Sequence, residues 1–311
     1  MNAVIHHINT QHFTSLPHDL EISEPRSISG ICVFFLFPRH EPTSTFNLMP
    51  NHTSLRVEEA ERCQVNRLKV SNYDTTPVLL RSVDLFSGGM QDRVIDTPYL
   101  ILPGETAEVE ALCIEQSRWS PRADHRQGFL YAGRLDTRSY LRRESAQFDE
   151  RQGQLWREIN ERRLEISAEN LSSSLIETRL YERQHAGRRL DVEVPYGAVG
   201  YLIARASRQG RPKVQLFEYY QSPAACAIAW RQLRSTESDE LCAGTQRFKL
   251  SRTEIRRYLK KVSQAGLAER TLESTNRGER YQLTQTIGHG QTLFSEGRCL
   301  YLSVIHPQIR S

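Results

Sequence analysis

An α+β fold is predicted, with an N-terminal antiparallel β-sandwich-like layer packed against a C-terminal α+β part. Three observations carry the prediction. Residues 28–120 alternate short apolar and aromatic runs with Gly and Pro turns, the signature of strands. Beyond residue 120, charged stretches and apolar positions at helical spacing take over. Charge divides at the same place: residues 1–120 carry 9 basic and 15 acidic side chains, net −6, whereas residues 121–311 carry 32 and 22, net +10. The chain therefore reads as a polar N-terminal extension over 1–27, a β-sandwich-like part over 28–120, a charged connector with helices over 121–192 and an α+β part over 193–311.

In order, residues 1–27 show neither helical nor strand period, and their four histidines, His6, His7, His12 and His18, have no fixed frame in which to hold a metal. The run ICVFFLF from Ile31 to Phe37 is short and wholly apolar, as a strand buried on both faces requires. Further strands are expected at Leu68–Val70, Val78–Phe86, Tyr99–Leu102 and Glu108–Ile114, with Pro103-Gly104 forming a type II turn between the last two. Phe148, Leu155 and Ile159 then share one helical face, with Trp156 beside it. A second helix begins at Ser174, where Glu177 completes a capping box. Gln209-Gly210-Arg211-Pro212 joins the apolar runs Ala198–Ala206 and Val214–Tyr220 as a hairpin. Ser222-Pro223 caps a third helix carrying Cys226, Trp230 and Leu233 at i, i+4 and i+7. Ser251 and Glu254 form another capping box, ahead of the strongest amphipathic stripe: Ile255, Tyr258, Leu259 and Val262. Gly288-His289-Gly290 reads as a turn, and Cys299–Ile305 as a closing strand entered through Gly297.

Composition bounds the function. At 38% hydrophobic and 25% charged over 311 residues, the chain is a globular protein able to bury a sizeable core, not a collagen-like, disulfide-stapled or disordered one. No window approaches the roughly 18 apolar residues of a membrane span, and Met1 to Phe13 lacks a secretory pattern, so a cytoplasmic protein without membrane contact is expected. The six cysteines, Cys32, Cys63, Cys113, Cys226, Cys242 and Cys299, lie far apart, which suits buried thiols better than zinc or disulfides. Phosphate-loop, dinucleotide, nucleophile-elbow and HExxH signatures do not occur, and no cofactor or metal is assigned. Of 41 basic residues 36 are Arg, which favours forked recognition of carboxylate or phosphate, although an Arg-rich codon preference explains the excess equally well.

Two segments concentrate chemistry. Gly88-Gly89-Met90-Gln91-Asp92-Arg93 couples two glycines, which let a backbone approach a ligand, to an amide, a carboxylate and a guanidinium. Cys113-Ile114-Glu115-Gln116-Ser117-Arg118-Trp119 leaves a strand and ends in an equally polar set. If those strands are neighbours, Arg93 and Arg118 can grip a phosphate or pyrophosphate, Trp119 can stack on a base, and Asp92 or Glu115 can accept a ribose hydroxyl. The alternative is structural: Gly-Gly as a β turn, Arg93 paired with Asp96 or Glu115, and Trp119 covering the core.

The same residues carry a resemblance. Val78 to Phe86, Gly88-Gly-Met-Gln-Asp-Arg-Val94, Leu102-Pro-Gly104 and Cys113 to Trp119 resemble the ADP-ribosylglycohydrolase and rhodanese-phosphatase-associated protein domain family. So do Gln152-Gly-Gln-Leu-Trp156, Gly197-Ala-Val-Gly200, Glu218 to Pro223, Trp230 to Ser235 and Leu300 to Ser303, so the resemblance runs in order over about residues 28 to 306. Gln91, Arg93, Glu115, Arg118, Trp119, Gln152 and Trp156 match its pattern, while Val83, Met90 and Tyr301 stand where an acid, a Lys and a His are frequent. The resemblance implies a ligand class and no defined reaction. The expectation is a bacterial cytoplasmic protein that binds an ADP-ribose- or NAD-related nucleotide through Gln91, Asp92, Arg93, Glu115, Arg118, Trp119 and Gln152. Glu115 is the candidate catalytic residue should the nucleotide also be processed, and an enzyme that handles such nucleotides is a candidate partner.

Residues 250–284 offer a rival. The amphipathic helix and the segment Asn276 to Thr284 resemble the recognition helix and wing of winged-helix DNA-binding domains, with Arg256, Arg257, Lys260, Lys261, Arg270, Arg277 and Arg280 as phosphate contacts. No clear helix precedes it, since Glu237 to Phe248 is polar and interrupted by Gly244, so nucleic acid is the weaker expectation. A scaffold that docks a nucleotide-processing enzyme is a further alternative.

Overall fold

A computed structural model describes residues 20–28, 30–42, 45–48, 54–60, 66–116, 118, 120, 128–135, 148–166, 173–184, 190–206, 212–242, 248–264, 267–275, 278–283, 289–295 and 298–306. In chain order the first strands are β1 (Leu20–Ile22), β2 (Arg26–Ile28), β3 (Ile31–Pro38), β4 (Asn47–Leu48), β5 (Leu55–Glu59), β6 (Arg67–Asn72) and β7 (Val78–Leu80). They continue with β8 (Asp84–Gly88), β9 (Arg93–Ile95), β10 (Tyr99–Ile101), β11 (Thr106–Cys113) and β12 (Phe129–Arg134). Helices α1 (Phe148–Glu165) and α2 (Leu175–Gln184) lead to β13 (Gly200–Ala206) and β14 (Pro212–Tyr220). Helices α3 (Pro223–Cys242) and α4 (Arg252–Gln264) precede β15 (Leu267–Thr275), β16 (Gly278–Leu283), β17 (His289–Ser295) and β18 (Arg298–Ile305).

The α+β class expected from sequence is the class observed. Nine strands form one sheet in the order β1-β3-β13-β14-β18-β17-β16-β15, with β2 also pairing β3; β12-β8-β9-β11-β6-β5 form a second sheet and β10-β7-β4 a third. The apolar run of β3 explains the layering. Successive strand residues point to opposite faces, and Ile31, Val33 and Phe35 enter a core with Leu85, Val94 and Leu112 of the six-stranded sheet and with Leu155, Ile159, Leu175 and Trp230 of the helices. Cys32, Phe34 and Leu36 enter a second core, closed by Ile255, Leu259 and Val262 of α4. A third core joins Val70, Phe86, Ile95 and Val109 to Val78, Leu80 and Ile101 of the three-stranded sheet.

Several expectations change. The polar extension is not featureless: Leu20–Ile22 and Arg26–Ile28 each pair antiparallel with β3, along the edge that β13 leaves open. The four histidines lie outside the described residues. The boundary at 120 does not divide the sheets, because β3 lies beside β13 and so belongs to the sheet built mainly by the C-terminal part. The single strand expected over Val78–Phe86 is two strands in different sheets. The break is made by Asp84, whose carboxylate accepts the Arg81 backbone N–H at 2.7 Å and the Arg81 side chain at 2.5 and 3.1 Å, so a side chain competes successfully with the ladder. His289 and Gly290 begin β17 instead of turning. The helix signals hold: Ser222 accepts the Ala225 N–H at 3.3 Å, and Ser251 and Glu254 cap each other reciprocally. No described helix is long and apolar enough to cross a membrane.

A buried ionic bolt locks the two large sheets. Arg134 at the end of β12 meets Glu218 of β14 through two hydrogen bonds of 3.1 and 2.9 Å, with both side chains fully buried. Tyr201 and Tyr220 also donate to Glu218, and Arg81 links the assembly to Asp84 and Gln232. Burial opposes the charged form of Glu218, but the Arg134 guanidinium outweighs it and holds the carboxyl below its ordinary value. Burial and the Glu218 charge together push the Tyr201 and Tyr220 hydroxyls up.

Candidate functional site

Register brings the two chemistry-bearing segments together. Strands β9 and β11 pair antiparallel with Cys113 opposite Arg93, so the turn before β9 and the segment leaving β11 meet at one end of the six-stranded sheet. Ile114 N–H donates to the Asp92 carbonyl at 3.0 Å and continues the pairing past the strands.

Arg118 is the centre of this clasp. Its Nε donates to Glu115 Oε2 at 2.8 Å, Nη1 to the Gly89 and Ser120 carbonyls at 2.8 and 2.6 Å, and Nη2 to the Gly88 carbonyl at 3.1 Å and Asp92 Oδ1 at 3.4 Å. A forked guanidinium suits this arrangement because its five N–H groups diverge in a plane. The Arg118 side chain is 16% exposed, whereas Gln91, Asp92, Arg93 and Glu115 are buried. Asp92 also accepts from Ser87 Oγ and Gly88 N–H at 3.1 Å each and from Ser174 Oγ at 2.8 Å. Ser174, read from sequence as a helix cap alone, thus ties the start of α2 to the clasp, and Glu115 pairs with it in an isolated bridge. Nothing local in the sequence marks an Asp–Ser contact spanning 82 residues.

The other candidates are equally engaged. Gln91 donates to the Glu115 carbonyl at 2.8 Å. Gln152 of α1 donates to the Cys113 carbonyl at 2.7 Å and accepts the Cys113 N–H at 2.8 Å, completing that residue's pairing as a neighbouring strand would. Arg93 donates to the Gln91 carbonyl and side chain at 3.2 and 3.3 Å. Its carboxylate neighbour is neither Asp96, which pairs with Arg151, nor Glu115, which pairs with Arg118, but Glu59 at 3.8 Å. Glu59 was not singled out in the sequence, where it is one of two adjacent acids in a weak strand pattern. Trp119 lies outside the described residues. Trp156 is half-buried against the main core, with its indole N–H beside the Cys113 thiol. Burial pushes the Cys113 thiol up against the opposing charge of Arg93, which favours its neutral form.

The paired glycines serve a different purpose from the one their pattern suggests. Gly88 has φ 138° and Gly89 φ 48°. A Cβ on Gly88 would stand 2.4 Å from the Gly128 carbonyl oxygen, and one on Gly89 2.3 Å from the Phe129 ring and 2.5 Å from Glu59 Oε1. Their freedom admits the backbone to the protein's own residues. Among the described residues no group of three or more His, Cys, Asp or Glu side chains is placed to hold a metal ion.

The rival helix is described as well. Helix α4 buries Ile255, Leu259 and Val262 against the nine-stranded sheet, and β16 pairs both β15 and β17, so the hairpin continues a sheet and is not a free wing.

A family model, that of the ARG and Rhodanese-Phosphatase-superfamily-associated Protein domain, matches residues 19–305. The chain belongs to that family. The match starts just before β1, so the strands missed in the N-terminal extension are part of the ARG and Rhodanese-Phosphatase-superfamily-associated Protein domain. It also spans both large sheets, the bolt and the clasp. A search of the curated proteins and one of the solved structures gave no match.

Proposed function

We propose that this domain binds an ADP-ribose- or NAD-related nucleotide at the surface side of the clasp. The observation that carries the reading is the convergence of Arg93 and Arg118 at one end of a sheet, in a shell that reaches solvent at Gln116, Arg118 and Glu59. The family description adds a link by name to ARG, ADP-ribosylglycohydrolase, proteins. Because every N–H group of Arg118 already has a protein acceptor, a diphosphate enters by exchange: its oxygens replace carbonyl and carboxylate acceptors, and the guanidinium keeps its charge-assisted bonds. Glu115, released from Arg118 in that exchange, becomes the acceptor for a ribose hydroxyl and the candidate for any chemistry. Enzymes acting on the same nucleotides are the matching partner class.

Calorimetric titration with ADP-ribose and NAD tests this. The expected result is saturable binding, weakened at least about tenfold by Arg118→Lys, which keeps charge but loses the fork. The exposed variant Gln116→Ala weakens it less. Absence of binding by either nucleotide, or affinity unchanged in Arg118→Lys, rejects the reading.

The outward face of α4 supports a second reading. Arg256, Arg257, Lys260 and Lys261 are all exposed and form a basic surface suited to a nucleic-acid backbone. Duplex binding that falls steeply with salt and is lost in a combined Arg256→Ala, Lys260→Ala variant would support it; no gel shift at low salt rejects it.

A further inference from the structure

Glu59 sits where the nucleotide reading has no use for a protein carboxylate. It ends β5, which also meets β12, and its side chain reaches the Gly88–Gln91 turn. Oε1 accepts the Met90 backbone N–H at 2.8 Å, while Oε2 stands 3.8 Å from Arg93 Nη2, beyond hydrogen-bond reach. Gly89 gives way to it, since any Cβ there would lie 2.5 Å from Oε1.

Arg93 shows what the carboxylate is doing there. The residue is 1% exposed, its other acceptors are the neutral carbonyl and amide oxygens of Gln91, and its Nε has no hydrogen-bond partner among the described residues. A buried guanidinium with an unused N–H and its anionic neighbour at 3.8 Å is incompletely neutralised. The remaining wall is the Met90 main-chain N–H, which already donates to an anionic oxygen, that of Glu59. The Glu59 side chain is 20% exposed and therefore has a route outward.

We propose that Met90 N–H and the Arg93 guanidinium form a phosphate subsite, and that Glu59 occupies it as an internal anion until a ligand phosphate displaces it. The inference rests on the nucleotide reading and deepens it. The ligand group is a phosphate of a nucleoside diphosphate, and the carboxylate oxygen on Met90 N–H stands in for one of its oxygens. Glu59 thereby sets the affinity threshold: a ligand binds only with enough phosphate charge to replace a tethered carboxylate.

The test uses the full chain and three probes: inorganic pyrophosphate, ADP-ribose and adenosine. Removing a like charge from the subsite in Glu59→Gln or Glu59→Ala is expected to tighten pyrophosphate and ADP-ribose at least about tenfold while leaving adenosine unchanged. Adding Arg93→Lys to Glu59→Ala should abolish the gain. The isosteric Gln variant guards against loss of fold, monitored by thermal melting. Wild type binding ADP-ribose with both Glu59 variants unchanged or weaker overturns the subsite and leaves the nucleotide reading standing. No ADP-ribose binding by wild type or either variant overturns the reading and the subsite together.

Discussion

The bolt between the sheets and the clasp at the end of the six-stranded sheet use the same chemistry, arginine forked onto carboxylate, in opposite surroundings. Arg134 and Glu218 are fully buried, join β12 to β14 and lie among tyrosine hydroxyls. Arg118 and Glu115 lie three residues apart, and Arg118 remains 16% exposed, with backbone carbonyls as its principal other acceptors. An arginine sealed between two sheets can only hold them together. One at the rim, whose acceptors are exchangeable carbonyls, can hold a turn and still meet a ligand.

The sharpest way to break this comparison is to neutralise the bolt. Glu218→Gln keeps the volume but leaves Arg134 buried without its counter-charge, a change that costs about 3–5 kcal/mol in comparable buried pairs. Denaturant unfolding should show that loss, and a loss below about 1 kcal/mol would show that the bolt is not holding the sheets. Acid titration gives the same answer by another route. Glu218 is held below its ordinary value of 4.5, so its contribution is fully present above that pH and is lost as pH falls through the lower folded value. The stability difference between wild type and Glu218→Gln should therefore be flat from pH 7 to about 4.5 and shrink below it.

Arg118→Ala comes next. It removes charge-assisted bonds to Glu115 and Asp92 together with support for the Gly88 and Gly89 carbonyls, at an expected cost of about 2 kcal/mol. Water reaches the rim and rehydrates what is left, which is why the loss stays below that of the bolt. Hydrogen exchange should speed up in residues 87–92 and leave β14 protected. A cost equal to that of Glu218→Gln would place the clasp in the same class as the bolt and remove the reason for giving it a ligand.

The same contrast separates what was legible in the sequence from what was not. Helix α4 was legible because capping and the Ile255, Leu259, Val262 stripe are local, and β3 because seven consecutive apolar residues admit few alternatives. The meeting of the two motif segments followed from strands β9 and β11 once they were taken as neighbours. What escaped depends on distant pairing or on side-chain competition with backbone. Arg134 and Glu218 lie 84 residues apart, Asp92 and Ser174 82, and Glu59 and Met90 31, with no periodicity to connect them. The break at Arg81 was hidden because the run on either side is apolar and only the Asp84 carboxylate stops the strand. The glycine pattern suggests backbone approach to a ligand, but the neighbours it admits are the protein's own Gly128, Phe129 and Glu59.

Ionic strength supplies the smallest and most discriminating effect. A double-mutant cycle on Arg118 and Glu115 measures a pair partly open to water, so its coupling should fall by a few tenths of a kcal/mol between low salt and about 1 M, where the Debye length is about 3 Å. The corresponding cycle on Arg134 and Glu218 should not move, because mobile ions have no access to a pair with both side chains fully buried. Equal salt sensitivity would mean that the rim is as closed as the bolt, and the exchange required for a diphosphate to reach Arg118 would then have no entrance. Sensitivity confined to Arg118 would show that ions already compete at the place where the ligand phosphate is expected to do so.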